Sequence, residues 1–145
     1  MAQTGSRNDP YSAFNFIVEI DGLEVAGFSE CSGLTAETDP IEYREGNEDI
    51  TVRKLPGLKK FTNISLKRGF TDNKELWDWR KTVMDGKTER KAGSIVLLNE
   101  AREEALRYNF REGWPCKWEG PSLNAKNNEV AIETLDICHE GLLLE

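Results

Sequence analysis

Several short segments of the chain alternate apolar and polar residues, which is the period of a half-buried β-strand. In the first, residues 14–20, apolar side chains occupy the even-numbered positions. It stops at Asp21-Gly22, a pair that favours a tight turn because both residues tolerate positive φ. Alternation returns between residue 63 and Phe70 and again over 105–111, while residues 95–98 are continuously apolar. These segments predict an antiparallel β-protein.

Glycine and proline divide these strands. The return strand is predicted over 24–28, and Gly27 and Gly33 predict bends or bulges in the segment that follows from it. A further strand is predicted over 34–43, where Pro40 places it at a sheet edge or a bulge, since proline donates no ladder hydrogen bond.

The segment 129–139 changes phase along its length. Val130 and Ile132 fall on one face, whereas Leu135 and Ile137 fall on the other. An apolar face that switches in mid-strand predicts a bulge or a change in what covers the sheet.

One helix is predicted, from about Asn73 to Met84. Asp72 is the expected N-cap, with Glu75 three residues later completing a capping-box pattern. Asp85-Gly86 ends it, because glycine suits the residue after a helix. The apolar stripe, which indicates core packing, comprises Leu76, Trp77, Trp79, Val83 and Met84.

Short strands, a single central helix and the absence of a βαβ rhythm predict a mainly β fold, an antiparallel sandwich or barrel with one flanking helix. The 145 residues fit a single domain, 1–145. Residues 1–11 are polar and predict a loose N-terminal arm. Residues 44–58 are charged and without a clean period, and such long irregular segments are usually functional or disordered.

Charge is unevenly distributed along the chain, whose net charge is −7. Residues 1–52 sum to −9, 53–91 to +7 and 92–145 to −5. A basic centre fits nucleic-acid binding, copies that attract one another when they stack, or an ordinary solvated surface. The acidic flanks would repel a polyanion, which counts against nucleic acid as the main partner.

The sequence gives little support for a membrane protein, a secreted disulfide-rich protein or a metal- or cofactor-binding protein. The chain has no apolar run long enough to span a bilayer, and its first ten residues lack the apolar core of a secretory signal. Its three cysteines, Cys31, Cys116 and Cys138, are widely spaced and odd in number, which predicts free thiols. No metal site, phosphate loop or cofactor is predicted.

The segment NFREGWPCKWEGPSL offers the strongest candidate for catalysis. It places Cys116 between Trp114 and Trp118, and the only histidine of the chain is His139. A Cys–His pair needs a thiolate beside an oriented base, and no third group or helix N-terminus is evident here. The sequence therefore predicts no enzyme, but a sharp corner after Pro115 whose tryptophans cover the turn or an interface.

The order of the segments resembles the tail-tube proteins of contractile phages and of extracellular contractile injection systems. The resemblance covers residues 10–142. It rests on DPYSAFNFIVEIDG, GFSECSGL, EYREG, LPGLKKFTNISLKRG and NKELWDWRKTV, followed by the stretch from SIVLLNE to CHEGL.

The resemblance implies a structural protein whose hexameric rings stack into a hollow inner tube. Its implied partners are further copies of itself, a contractile sheath protein, and baseplate and tail-terminator proteins, with protein cargo or DNA in the lumen and no stable membrane association. It implies assembly in a bacterial cytoplasm and then an extracellular or virion-associated particle. A type VI secretion ring protein or a baseplate-proximal tube initiator is the alternative, and a monomeric polyanion-binding module is a more distant one.

By position, the resemblance makes residues 44–58 the extended loop that reaches the adjacent ring. The charged residues expected to stack the rings are Arg44, Glu45, Glu48, Arg53 and Lys54. Trp114 and Trp118 are expected at subunit contacts or in the core beneath them.

Overall fold

A computed structural model describes residues 15–23, 27–44, 46, 52–126 and 129–145. The proposed arm, 1–11, lies outside these residues. Nine strands and one helix follow one another in the described chain: β1 Phe16–Ile20, β2 Phe28–Ser32, β3 Ala36–Tyr43, β4 Arg53–Phe61, β5 Ile64–Gly69, α1 Glu75–Met84, β6 Lys91–Leu98, β7 Glu104–Glu119, β8 Ile132–Cys138 and β9 Gly141–Leu144. The prediction of a mainly β, antiparallel fold with one flanking helix is confirmed.

Strand β7 organises the main sheet, in which the order is β1-β6-β7-β8-β5-β2 and β9 also pairs with β7. The first part of β7 pairs with β6 and β9, and residues 114–119 pair with β8. Glu112 has a φ of 53° at the transition between these partners. One continuous strand therefore serves both halves of the sandwich.

The segment around Cys116 is not a corner, so that prediction is wrong. Residues 109–119 belong to the long strand β7, and Pro115 is paired with Ile137 of β8. The ladder tolerates the proline because the register shifts between Pro115 and Lys117, which is the bulge that a residue without an N–H requires.

Strands β2 to β5 form one bent ribbon. Ser32 pairs with Ser65, and Ala36 pairs with Phe61, so the β3–β4 hairpin continues the register of the β2–β5 pair. The ribbon bends at Gly33, whose φ of 88° and 1.9 Å approach of an ideal Cβ to a backbone oxygen admit only glycine. Beyond the bend, β3 and β4 form a separate two-stranded sheet.

Local features of the ribbon and of the first turn follow the sequence. The register of β3 shifts between Thr38 and Pro40, which confirms the expected edge or bulge at this proline. The turn at Asp21-Gly22 is also confirmed, since the Leu23 N–H donates to the Ile20 carbonyl at 3.0 Å.

Helix α1 begins later than predicted. Its N-cap is Lys74 and not Asp72, and the Asn73 Oδ1 accepts a hydrogen bond from the Glu75 N–H at 2.9 Å. Asn73 can make this local bond two residues ahead, so it takes over the role expected of the aspartate. The helix ends as expected at Asp85, followed by a glycine with positive φ.

The core lies between the two halves of the sheet and under α1. Its buried apolar residues come from six elements: Val18, Ile20, Ile64, Leu66, Leu76, Trp79, Ile95, Phe110, Leu135 and Ile137. The indole Nε1 of Trp79 donates to the Glu89 carbonyl at 2.8 Å, so its one polar atom is satisfied.

Strand β8 is regular, and the predicted phase change is wrong. Glu133, Leu135 and Ile137 all face inward, whereas Ile132 is 42% exposed. The inward carboxylate of Glu133 is paired with the guanidinium of Arg68, and both residues are buried. A charged residue at a core position made the apolar pattern look discontinuous.

Candidate assembly interface

The β3–β4 hairpin projects from the sandwich with both faces open. All eight residues of β3 and most residues of β4 are exposed. Its apolar side chains include Ile41, Tyr43 and Leu55, about half exposed, and Leu58 at 81%. Ile41 pairs directly with Leu55 and Tyr43 with Arg53, so these residues share one face. An isolated two-stranded hairpin is only marginally stable in water. The exposed apolar face of this hairpin is therefore suited to burial against a partner.

The two strands of the hairpin carry opposite charge. The charges of β3 are acidic and those of β4 are basic: Glu37, Asp39 and Glu42 against Arg53, Lys54, Lys59 and Lys60. The Lys60 ammonium lies 3.0 Å from the Asp39 carboxylate, a hydrogen bond that raises the pKa of the lysine. These pairs help to hold the two strands together, although exposed pairs contribute little stability each.

The structure brings three of the five predicted stacking residues into this hairpin. Arg53 and Lys54 open β4, and Arg44 follows β3 directly. Glu45 and Glu48 lie outside the described residues. The segment 44–58 is also more regular than predicted, because its second half is part of β4. Within β4, the exposed charged residues Arg53 and Lys54 lie on opposite sides of the strand, which hid the strand period.

Trp118 lies between the core and an open groove. It packs against the core, and its indole Nε1 donates to the Glu133 Oε2 at 3.1 Å. The Trp77 ring meets it edge-on, with centroids 4.9 Å apart, and the Phe70 ring lies at 6.3 Å. The groove has a volume of about 390 Å³ and is lined by Phe70, Thr71, Asn73, Lys74, Trp77, Trp118 and Glu133.

Sequence reasoning did not single out this groove. Trp77 belongs to the predicted core-facing stripe of the helix, yet only Leu76 and Trp79 are buried there. Trp77 lies about 100° around the helix from Leu76, and its position directs it to the groove. The available signal was an apolar stripe wider than one buried helix face needs.

Trp114 is half-buried on β7, directly opposite Cys138 of β8. Cys116 follows two residues later, and its Sγ lies 3.5 Å from both the Asn63 side-chain amide and the Asp136 carbonyl. Burial, followed by the neighbouring Cys138 and Asp136, raises the pKa of Cys116. The raised pKa keeps this thiol protonated at neutral pH, which disfavours nucleophilic attack.

His139 makes hydrogen-bonding contacts away from Cys116. Its Nδ1 lies 3.2 Å from the Gly141 carbonyl, and its Nε2 lies 3.1 Å from the Thr62 carbonyl. The ring also packs beside Phe61 and Phe110. These contacts give the imidazole a structural position between the ribbon and the end of β8.

The described part of the chain has neither a metal-binding cluster nor a membrane-spanning helix. No group of three or more His, Cys, Asp or Glu side chains there is placed to hold a metal ion. Within the same residues, the single helix is too short and too polar to cross a membrane.

Chains in several structures of contractile injection systems have this fold. A chain in the cryo-EM structure of the sheath–tube complex of an extracellular contractile injection system, PVC, is 30% identical, with a TM-score of 0.84 over 94% of this chain and 91% of that chain. A chain in the sheath/tube terminator structure of PVC is 31% identical, with a TM-score of 0.86 over 95% and 98%. A chain in the tube-terminating cap of the anti-feeding prophage is 28% identical, with a TM-score of 0.88 over 99% and 95%.

Hcp1 from Flavobacterium johnsoniae has the same fold at 16% identity, with a TM-score of 0.56 over 90% of this chain and 94% of that chain. No curated protein sequence matches the chain. The family model of the T4-like virus tail tube protein gp19 matches residues 12–143. This protein therefore belongs to the T4-like tail tube protein family and is a structural component of the tube of a contractile injection system.

Proposed function

We propose that this chain is the repeating subunit of the inner tube, that six copies close a ring, and that rings stack head-to-tail through the β3–β4 hairpin. The observation that carries the proposal is the hairpin itself, a regular two-stranded element with an exposed apolar face. A contact between different surfaces of successive copies does not close on itself, so it builds a filament.

The proposed partners follow from the proteins it is similar to. Those structures include a sheath–tube complex, a tube terminator and a tube-terminating cap. We infer that this tube is enclosed by a contractile sheath, starts on a baseplate and ends on a terminator. The lumen carries protein cargo or DNA, and the subunit has a structural and not a catalytic role. Assembly takes place in a bacterial cytoplasm, before the particle becomes extracellular or part of a virion.

Within this proposal, the hairpin charges guide stacking. The residues assigned to the ring–ring interface are Arg44, Glu45, Glu48, Arg53 and Lys54. We place Trp118 beside a subunit contact, since it is half-buried and borders the groove. Trp114 is given the same role on its partial burial in β7.

A baseplate-proximal tube initiator remains the alternative within the same fold. Such a protein would cap one end of a tube and would not polymerise with itself. The 16% identity to Hcp1 supports a common fold only, so the type VI ring protein is a weaker alternative.

The test is negative-stain electron microscopy of the purified protein across concentration and salt. Sixfold rings and hollow tubes are expected from the wild type. The R53E/K54E variant should keep the rings and the circular dichroism spectrum but lose the tubes, because like charge at a contact opposes docking. The control R53K/K54R retains both charges and should form tubes. Tubes from R53E/K54E at the wild-type concentration would remove these residues from the interface.

A further inference from the structure

Two of the three cysteines lie beside each other on the outer face of the sheet. Cys138 of β8 is paired with Trp114 of β7, so these two side chains share a face. Cys116 follows two residues after Trp114, which returns its side chain to that face. The third thiol, Cys31, packs against the core from β2. The fold therefore brings together one pair of thiols whose positions are distant in sequence.

The bulge in β7 brings Cys116 closer to Cys138 than a regular ladder would. Pro115 pairs with Ile137 and Lys117 with Asp136, so Cys116 is the extra residue of the bulge. Diagonal neighbours on adjacent strands have Cα atoms about 7–8 Å apart, whereas a disulfide spans about 4.4–6.8 Å. The extra residue lies between two successive ladder pairs, which shortens its offset from Cys138 along the strand.

The side chain of Cys116 reaches across β8, which lies between β7 and β5 in the sheet. Its thiol donates to the Asp136 carbonyl of β8 at 3.5 Å. The side-chain amide of Asn63, directly before β5, donates to the same sulfur at 3.5 Å. The Cys138 thiol makes a further hydrogen-bond contact with it. The sulfur of Cys116 is therefore directed over β8 and towards Cys138.

The two thiols are shielded, yet a small molecule can reach them. Both residues are half-buried, and burial is the first cause of the raised pKa of Cys116. Few Cys116 thiolates are present at neutral pH, so attack by this thiol on an oxidant is slow. Once either thiol carries a mixed disulfide, the other is already adjacent, and closure is intramolecular.

We propose that Cys116 and Cys138 form an oxidation site, at which a low-molecular-weight disulfide such as glutathione disulfide converts the two thiols into a disulfide between β7 and β8. One cysteine sulfur attacks the small disulfide, whose S–S bond breaks, and a mixed disulfide forms as the first small thiol leaves. The second cysteine sulfur attacks the mixed disulfide and displaces the second small thiol. Both cysteines are oxidised, and the small disulfide is reduced to two thiols that carry the two protons.

The new bond staples two neighbouring strands of the sandwich. It closes a loop of roughly twenty residues, which restricts the unfolded chain and stabilises the folded one. Only the timing of the step rests on the proposed function. A reducing cytoplasm keeps the pair as thiols during assembly, and oxidising surroundings outside the cell close it.

The experiment treats the purified protein with excess glutathione disulfide at about pH 8.5, where thiolates are more abundant. Remaining thiols are then alkylated, and the protein is digested with trypsin. Cleavage after Arg111, Lys117 and Lys126 places Cys116 and Cys138 on separate peptides. The free thiols should fall from three to one, with a linked Cys116–Cys138 peptide and an alkylated Cys31.

Two variants serve as controls. C31A should still form the linked peptide, whereas C116S should form no internal disulfide under the same treatment. Wild-type protein that retains glutathione adducts at Cys116 and Cys138, or that links either of them to Cys31, would overturn the proposal.

Thermal unfolding tests the staple. The oxidised wild type should melt about 6–12 °C above the same protein reduced with dithiothreitol, and C116S should show no such difference. Equal melting temperatures of the oxidised and reduced wild type would overturn the stabilising role. These assays need no tubes, so a protein that forms the bond but never assembles would overturn the proposed function and leave the oxidation site standing.

Discussion

The buried pair formed by Arg68 and Glu133 is expected to govern the stability of the sandwich. The two residues are only 5% and 2% exposed, and the guanidinium Nε lies 2.5 Å from the Glu133 Oε1. The Glu133 Oε2 also accepts the Trp118 indole hydrogen bond. Replacing the carboxylate in E133L leaves a buried cation without its counter-ion and an indole N–H without an acceptor.

Breaking a buried ion pair by removing one partner costs about 3–5 kcal/mol. The lost indole hydrogen bond adds about 1 kcal/mol, since Trp118 is half-buried. At about 2–4 °C per kcal/mol for a chain of this size, Tm should fall by roughly 8–24 °C. The double variant R68M/E133L removes both charges, and its stability should return to within about 1–2 kcal/mol of the wild type.

Urea unfolding followed by tryptophan fluorescence measures these differences, at one low protein concentration so that assembly does not contribute. The control is E119Q, because Glu119 is 63% exposed and lies 3.9 Å from its partner Lys117. Its effect should stay below about 0.5 kcal/mol. A cost below about 1 kcal/mol for E133L, or a double variant no more stable than the single one, would refute the reasoning.

Two further predictions concern the core and one thiol. In G93A the new Cβ would lie 2.5 Å from the Phe110 ring and 2.7 Å from the Glu19 carbonyl, so the free energy of unfolding should fall by about 1–3 kcal/mol. The control is G69A, because there is open space around Gly69. Equal effects of the two substitutions in thermal unfolding would contradict this account. Burial raises the pKa of Cys31 to about 11 from 9.0, so above pH 9 the unfolded thiol ionises before the folded one. Stability should therefore fall between about pH 9 and pH 11, by roughly 1–2 kcal/mol after screening, and C31A should lack this loss in urea titrations; parallel wild-type and C31A curves would rule it out.

Much of the fold could be predicted because its strands alternate. The turn at Asp21-Gly22, the bulge at Pro40 and the end of α1 each depend on neighbours in sequence, and each is found. The predictions that failed depend on partners distant in sequence. Nothing near Glu133 reveals that Arg68 neutralises it in the core. Pro115 predicts a turn from sequence alone, whereas in the structure a bulge in the β7–β8 pair accommodates it.

The candidate site divides in the same way. The charged stretch around Arg53 and Lys54 was recognisable as unusual from sequence, although its strand was not, because neither face of it is buried in the single chain. The groove was missed because Trp77 and Phe70 come together only when the helix packs beside the end of β5. No local sequence pattern indicates that these two residues lie close together. The assignment of the hairpin and of the groove to assembly stays a prediction.

The shared strand β7 has a mechanical consequence for a tube subunit under an axial load. In a sandwich of two separate sheets, a sliding force is resisted only by side-chain contacts across the core, which can slip past one another. Here the same backbone runs through both halves, so a load applied to one half reaches the other along covalent bonds. The subunit should therefore transmit an axial load without shearing internally.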